Sequence, residues 1–328
     1  MLAKRRGIFE GSKAIIRTPL LLPSFSSKGF PAVQNILSTT QEVIDGEILV
    51  SAYDIYHQHL NGTFEFAEAI FLDSGGYEAS KDVELSDLQM AQHDPRSWNF
   101  DQYAKTIHGW TSSRPTVIVS YDHPQERHST PDQIARANET LPRGNNIFRE
   151  ILFKPEAPQS SYANIAAIVD NASTLVDFHA IGVTEKEIGA TLQDRMTSIA
   201  SIRTALNETG QSDKPIHIFG SLDTISTPLY FVAGADIFDG LTWLRFAYID
   251  GMTVYRQNYA ALKVGLDIDT DMVDAHCFFA NYRYLKDLQL EMKEYAFSGS
   301  FDTFTHHSDL IANAYETMLK TMEAYHGR

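Results

Sequence analysis

The sequence predicts a (β/α)8 barrel followed by a helical extension. Three observations carry this expectation. Eight short apolar runs recur between residues 14 and 243 of the 328-residue chain. Helix-patterned stretches separate most of them. No Gly-x-Gly-x-x-Gly follows an early run, so a doubly wound dinucleotide fold is the weaker rival.

The runs are "AIIRTPLLLPSF" (14–25), "EILVSAYDIY" (47–56), "AIFLDSGGY" (69–77), "PTVIVSYDHP" (115–124), "NIFREILFKP" (146–155), "DFHAIGVTE" (177–185), "PIHIFGSLD" (215–223) and "ADIFDGLTW" (235–243). Each is strand-sized and ends in turn or polar residues. The helices between them have readable starts. "STPDQIARANETL" places Thr130 as N-cap and Pro131 at the first helical position. "SYANIAAIVDNA" and "ATLQDRMTSIASIRTALNETG" repeat apolar residues at helical spacing. After about residue 262 the pattern changes. "TDMVDAHCFFANYRYLKDLQLEMKEYAF" and "HHSDLIANAYETMLKTMEAY" read as two helices with no strand between. The expected organisation is a barrel over 1–262 and a helical extension over 263–328.

Composition narrows the partners. The 42 acids outnumber the 27 lysines and arginines, for a net charge of -15. No global basic field draws the chain to nucleic acid, although a local basic patch still grips phosphates. One cysteine, Cys277, permits neither a disulfide framework nor a cysteine-rich zinc site. No apolar run approaches the ~20 residues of a membrane helix, and no long apolar h-region follows the basic start. A soluble, cytoplasmic protein is the expectation.

Barrel chemistry sits where strands end. Those ends carry Asp54, Tyr56 and His57, then Asp73-Ser74-Gly75-Gly76-Tyr77-Glu78, then Asp122-His123, then Lys154 and Glu156, then Gly182, Gly220 and Asp223, and last Asp236 and Asp239. Clustered acids serve metal binding, acid–base work or nucleophilic attack. Any single one is equally well an N-cap after a strand. Asp236, next to Ile237, points to the other side of its strand and reads as structural. His57 reads as a buried hydrogen-bonding histidine.

Several of these segments resemble the tRNA-guanine transglycosylase superfamily. "LDSGGYE" resembles its Asp-Ser-Gly-Gly-aromatic-Gln signature. "GADIFDGLTWLR" is similar to its nucleophile segment, which runs on to an arginine, here Arg245. "TPLLLPSF", "YDIYH", "SYDHP" and "HAIGV" follow the family's order, so the resemblance covers roughly residues 14 to 260. It implies a base exchange in which Asp239 attacks the sugar C1′ and expels guanine, while Asp73 moves protons. Asp122 would accept from the guanine-like edge, and Tyr77 would stack on the base. Ser74 belongs to the signature, Gly75 and Gly76 would let backbone approach the base, and Gly182 would lie beside it.

The departures concern recognition. The family's zinc signature of three cysteines and a histidine is missing, so no cofactor is expected. Asp54 and Glu78 stand where the family has amides near the ribose. Lys154 replaces part of a Gln-Gly pair that touches the base. "HDPRSWNFDQY" has no counterpart in the usual tRNA enzymes. These changes fit the branch that modifies DNA, so DNA is slightly favoured over tRNA as the polymer. The incoming base would be a 7-deazaguanine such as preQ0, preQ1 or queuine. A homodimer or a partner subunit both fit, and no membrane is involved. The alternatives are a non-catalytic nucleic-acid-binding subunit and a free-nucleoside glycosidase.

Overall fold

A computed structural model describes residues 1–81 and 93–326 of the chain. Its central feature is a closed barrel of parallel strands, with helices alternating between them. The barrel strands are β3 (Leu20–Phe25), β4 (Ile48–Ser51), β5 (Ile70–Asp73), β6 (Thr116–Val119), β7 (Ile147–Phe153), β8 (Ala180–Thr184), β9 (Ile216–Phe219) and β10 (Ile237–Gly240). Their hydrogen-bonded order is β10-β3-β4-β5-β6-β7-β8-β9. Every residue of β4, β6, β9 and β10 is buried. Strands covered on both faces carry continuous apolar runs rather than alternation. That is why the eight runs stand out in the sequence.

By contact density the chain forms two compact units, Pro23–Val183 and the pair of segments Met1–Leu22 and Thr184–Arg328. In the first, β4 to β8 pair in consecutive register, for example Ser51 with Asp73 and Leu152 with Gly182. Helix α5 (Thr130–Thr140) follows β6. Its cap is Ser129 rather than Thr130, because the Ser129 side chain accepts from the Asp132 N–H. In the second unit, α7 (Leu192–Glu208) starts in a capping box of Thr191 and Asp194. The two expected C-terminal helices are α11 (Thr270–Ser298) and α12 (Ser308–His326). Among the described residues no helix is long and apolar enough to cross a membrane.

Two boundaries differ from the sequence expectation, and one hairpin was not expected. The run 14–25 is two strands, broken at a cis Thr18-Pro19 bond. Its first part, β2 (Lys13–Arg17), pairs antiparallel with β1 (Gly7–Glu10), and only the second part joins the barrel. The run 47–56 stops as a strand at Ser51, and Ala52–Tyr56 form the short helix α2. Asp54 therefore lies one helical turn past the strand end. A further hairpin, β11 (Ala247–Ile249) and β12 (Met252–Val254), precedes the helical extension. Its turn is Asp250-Gly251, both at positive φ, which is the Asp-Gly pattern of a tight hairpin.

Candidate active site

The unit Pro23–Val183 carries most of the residues singled out in the sequence. Asp73 is the last residue of β5, and its Oδ2 accepts from the Gly75 N–H at 3.4 Å. Gly75 is left-handed, with φ +87°. A Cβ there would fall 2.7 Å from Tyr53 Cβ and 3.0 Å from Trp98 Nε1. A Cβ on Gly76 would fall 2.5 Å from Asp122 Oδ2. The two glycines thus let a turn pack against neighbouring side chains as well as bend. Trp98 Nε1 donates to the Ser74 carbonyl at 3.1 Å, and the Gly76 N–H reaches Ser74 Oγ at 3.3 Å. Tyr77 follows on α3 (Gly76–Ala79). Lys28 Nζ lies 4.2 Å from the centre of its ring and donates to its carbonyl at 3.1 Å.

Asp122 lies three residues beyond β6 and is gripped by two cations. Arg127 Nη1 stands 3.3 Å from Oδ1, and Lys154 Nζ stands 3.4 Å from Oδ2. Arg127 Nη1 also donates to the His123 carbonyl at 2.6 Å. The ion pair of Lys154 with Asp122 was not anticipated from the sequence. Together these residues line a cleft that also includes Phe100, Tyr121 and Arg136. Gly182 sits within β8, opposite Leu152.

Glu78 and Asp54 form a buried acidic pair. Glu78 Oε2 accepts from Ser51 Oγ at 2.8 Å, and Oε1 accepts from Ser26 Oγ. Asp54 is fully buried, and its Oδ2 accepts from the Ser27 N–H at 2.8 Å. Burial, then the neighbouring Glu78 charge, pushes Asp54 well above the usual carboxylate range. Burial therefore favours the neutral form of Asp54 more than it would at an exposed carboxyl. Ser26, Ser51 and Lys28 were not anticipated, because single serines before a helix or turn carry no distinctive pattern.

The other unit carries Asp239 and Arg245. Asp239 lies on β10 with 6% of its surface exposed. Its Oδ1 accepts from the Gly220 N–H at 3.1 Å. The same oxygen stands 3.2 Å from Nε2 of His217, which is fully buried on the adjoining β9. Phe219 stacks on the His217 ring with centroids 3.9 Å apart. Sequence reasoning missed His217, since one histidine in an apolar strand reads as ordinary core. Arg245 ends the short helix α9 (Thr242–Arg245).

Asp236, three residues before Asp239, has a different environment. Arg6 Nη1 bonds its Oδ1 at 2.9 Å, Arg203 Nη2 bonds Oδ2, and the Ile216 N–H donates at 2.9 Å. It locks the N-terminal segment and α7 to the start of β10. Cys277 is fully buried with Ala247, Ala260 and Val273, and burial pushes its thiol up to about 11. Among the described residues no three or more His, Cys, Asp and Glu side chains group to hold a metal ion. No protein-family model matches the chain, and no curated protein matches it.

Proposed function

We propose that the protein is a base-exchanging glycosyltransferase acting on nucleic acid, which replaces guanine with a 7-deazaguanine. The observation that carries this reading is Asp239, a nearly buried carboxylate held by the Gly220 N–H, with His217 Nε2 3.2 Å away. A carboxylate nucleophile needs such fixed placement, because attack demands one geometry. In this reading an Asp239 oxygen forms a bond to C1′ as the C1′–N9 bond of guanine breaks. Asp73 supplies the proton that the leaving base takes up. The incoming base then gives its proton to Asp73, bonds to C1′ through N9, and releases Asp239.

Asp122 reads the base edge. A carboxylate oxygen has two acceptor directions, so each keeps one beside its cation. Lys154 adds a donor that suits a base carbonyl. The raised Asp54 fits the reading as well: with a proton on it, an aspartic acid has the shape of asparagine and offers one donor and one acceptor. DNA is favoured as the polymer and tRNA is the alternative.

Incubation with guanine-containing DNA or tRNA and a labelled 7-deazaguanine tests this. Label enters the polymer with the native chain, and Asp239→Asn abolishes entry. Incorporation that survives Asp239→Asn rules Asp239 out as nucleophile.

A further inference from the structure

The segment 93–103, "HDPRSWNFDQY", takes no part in the chemistry just described, yet it is packed tightly against α2. Trp98 is 5% exposed, and its ring lies 5.6 Å from Tyr53 and 5.7 Å from Tyr56. The Arg96 N–H donates to Tyr53 Oη at 2.6 Å, and Arg96 Nη1 donates to the His57 carbonyl at 3.2 Å. His57 Nε2 stands 3.0 Å from the Ser97 carbonyl. Around the buried Tyr53 ring lie three imidazoles, His57 at 4.4 Å, His59 at 6.3 Å and His93 at 6.5 Å.

The arrangement gathers one arginine and three histidines on a chain whose net charge is -15. Among the described residues none of the four makes an ion pair with a carboxylate. The charged groups that reach His57 and His59 are Arg96 and neighbouring histidines, Asp54 and Glu78 reach Tyr53, and His93 Nε2 stands 2.6 Å from the Glu78 carbonyl. Asp94 is next in the segment and exposed. Burial first, then Arg96, holds both His57 and His59 below the ordinary histidine value. Arg96 thus carries a charge that no described carboxylate pairs, and a phosphate arriving beside it also favours the protonated form of the neighbouring imidazoles. The group is also tied to the candidate base site, since Trp98 bonds Ser74 and Tyr53 lies under Gly75.

We infer that Tyr56, His57, His59, His93 and Arg96 form a phosphate-binding surface that holds the sugar–phosphate backbone of a nucleic acid beside the Ser74-Gly75 turn. The inference rests on the base-exchange reading for its choice of polymer. Phosphodiester is the anion that fits. An acidic chain repels a polyanion at a distance and needs a local cationic contact to hold one. Half-buried Tyr56 offers a ring face to an unstacked base next to that contact.

Fluorescence anisotropy with labelled single-stranded DNA and RNA oligonucleotides tests it on the full chain. Arg96→Gln weakens binding about 3- to 10-fold and reduces the slope of log affinity against log salt by about one. His59→Ala weakens it less. Its ring makes no hydrogen bond among the described residues, so the variant keeps the native melting temperature. Binding by the native chain tightens as pH falls from 8 to 6, because the bound phosphate draws protons onto His57 and His59. Arg143→Gln, at an exposed ion pair with Asp177, serves as the control and binds as the native chain does. The DNA and RNA arms identify the polymer. Native affinity and slope in both patch variants overturn the inference, as does failure of the native chain to bind either oligonucleotide. If base exchange proceeds but patch variants bind normally, only this inference falls. If patch variants lose binding while no base exchange is found, the surface stands and the base-exchange reading falls.

Discussion

Asp236 and Asp54 are both carboxylates with no exposed surface, and the protein handles them in opposite ways. Asp236 keeps two arginines, Arg6 and Arg203, with a backbone N–H on a third side. Burial brings even the Arg203 guanidinium down to about 10, so this ion pair forms far from water. Among the described residues Asp54 has no such cation. Its neighbours include the Ser27 N–H and a second acid, and burial favours its neutral form. The first arrangement fastens chain segments together. The second holds a polar group ready whose charge state follows its surroundings. Buried acids alone therefore do not mark a site; their counter-charges separate structural from functional roles.

The comparison breaks most sharply at Asp236. Asp236→Ala leaves two buried arginines uncompensated and costs about 3–5 kcal/mol. Urea denaturation measures this, and a loss below about 1 kcal/mol would mean that Asp236 is not the fastening described. Next is Ser51→Ala, which removes a hydroxyl from Glu78 and costs about 1.5–3 kcal/mol. An effect of opposite sign, read as a slope against pH, belongs to Asp54→Asn. The folded-state pKa of Asp54 is raised, so folding disfavours its ionised form. Its burial costs nothing below the unfolded value near 3.9, and stability falls as pH rises toward the folded value. Asparagine keeps the shape without that penalty. Asp54→Asn therefore stabilises the protein by about 1.4 kcal/mol for each pH unit climbed in that window. Melting curves from pH 4 to 8 read it out. A difference from the native chain that stays constant with pH would show that Asp54 is ionised in the fold.

The barrel was legible because parallel strands buried on both faces leave continuous apolar runs between turn residues. Asp73 and Asp239 were legible for the same reason, as acids standing at the ends of those runs. The boundary after Ser51 was not. "AYDIY" is rich in aromatic and branched residues and reads as strand, yet in the fold it turns into helix at once. Tertiary context overrides propensity over such short stretches. Partners were less legible than positions. His217 beside Asp239, and Lys154 and Arg127 on Asp122, come from segments distant in the chain or offset around a turn. Nothing in their local sequence announces the contact.

Gly76 and Asp122 have a consequence for how this protein can change over generations. Any side chain at residue 76 would collide with the Asp122 carboxylate and also come within 2.8 Å of its carbonyl oxygen. The two positions are 46 apart in number but are not free to vary separately. A lineage that replaces Gly76 must first move Asp122, and doing so surrenders the arginine and lysine gathered around it. The turn and the acid are inherited as one unit, and a search for relatives should look for them as a pair.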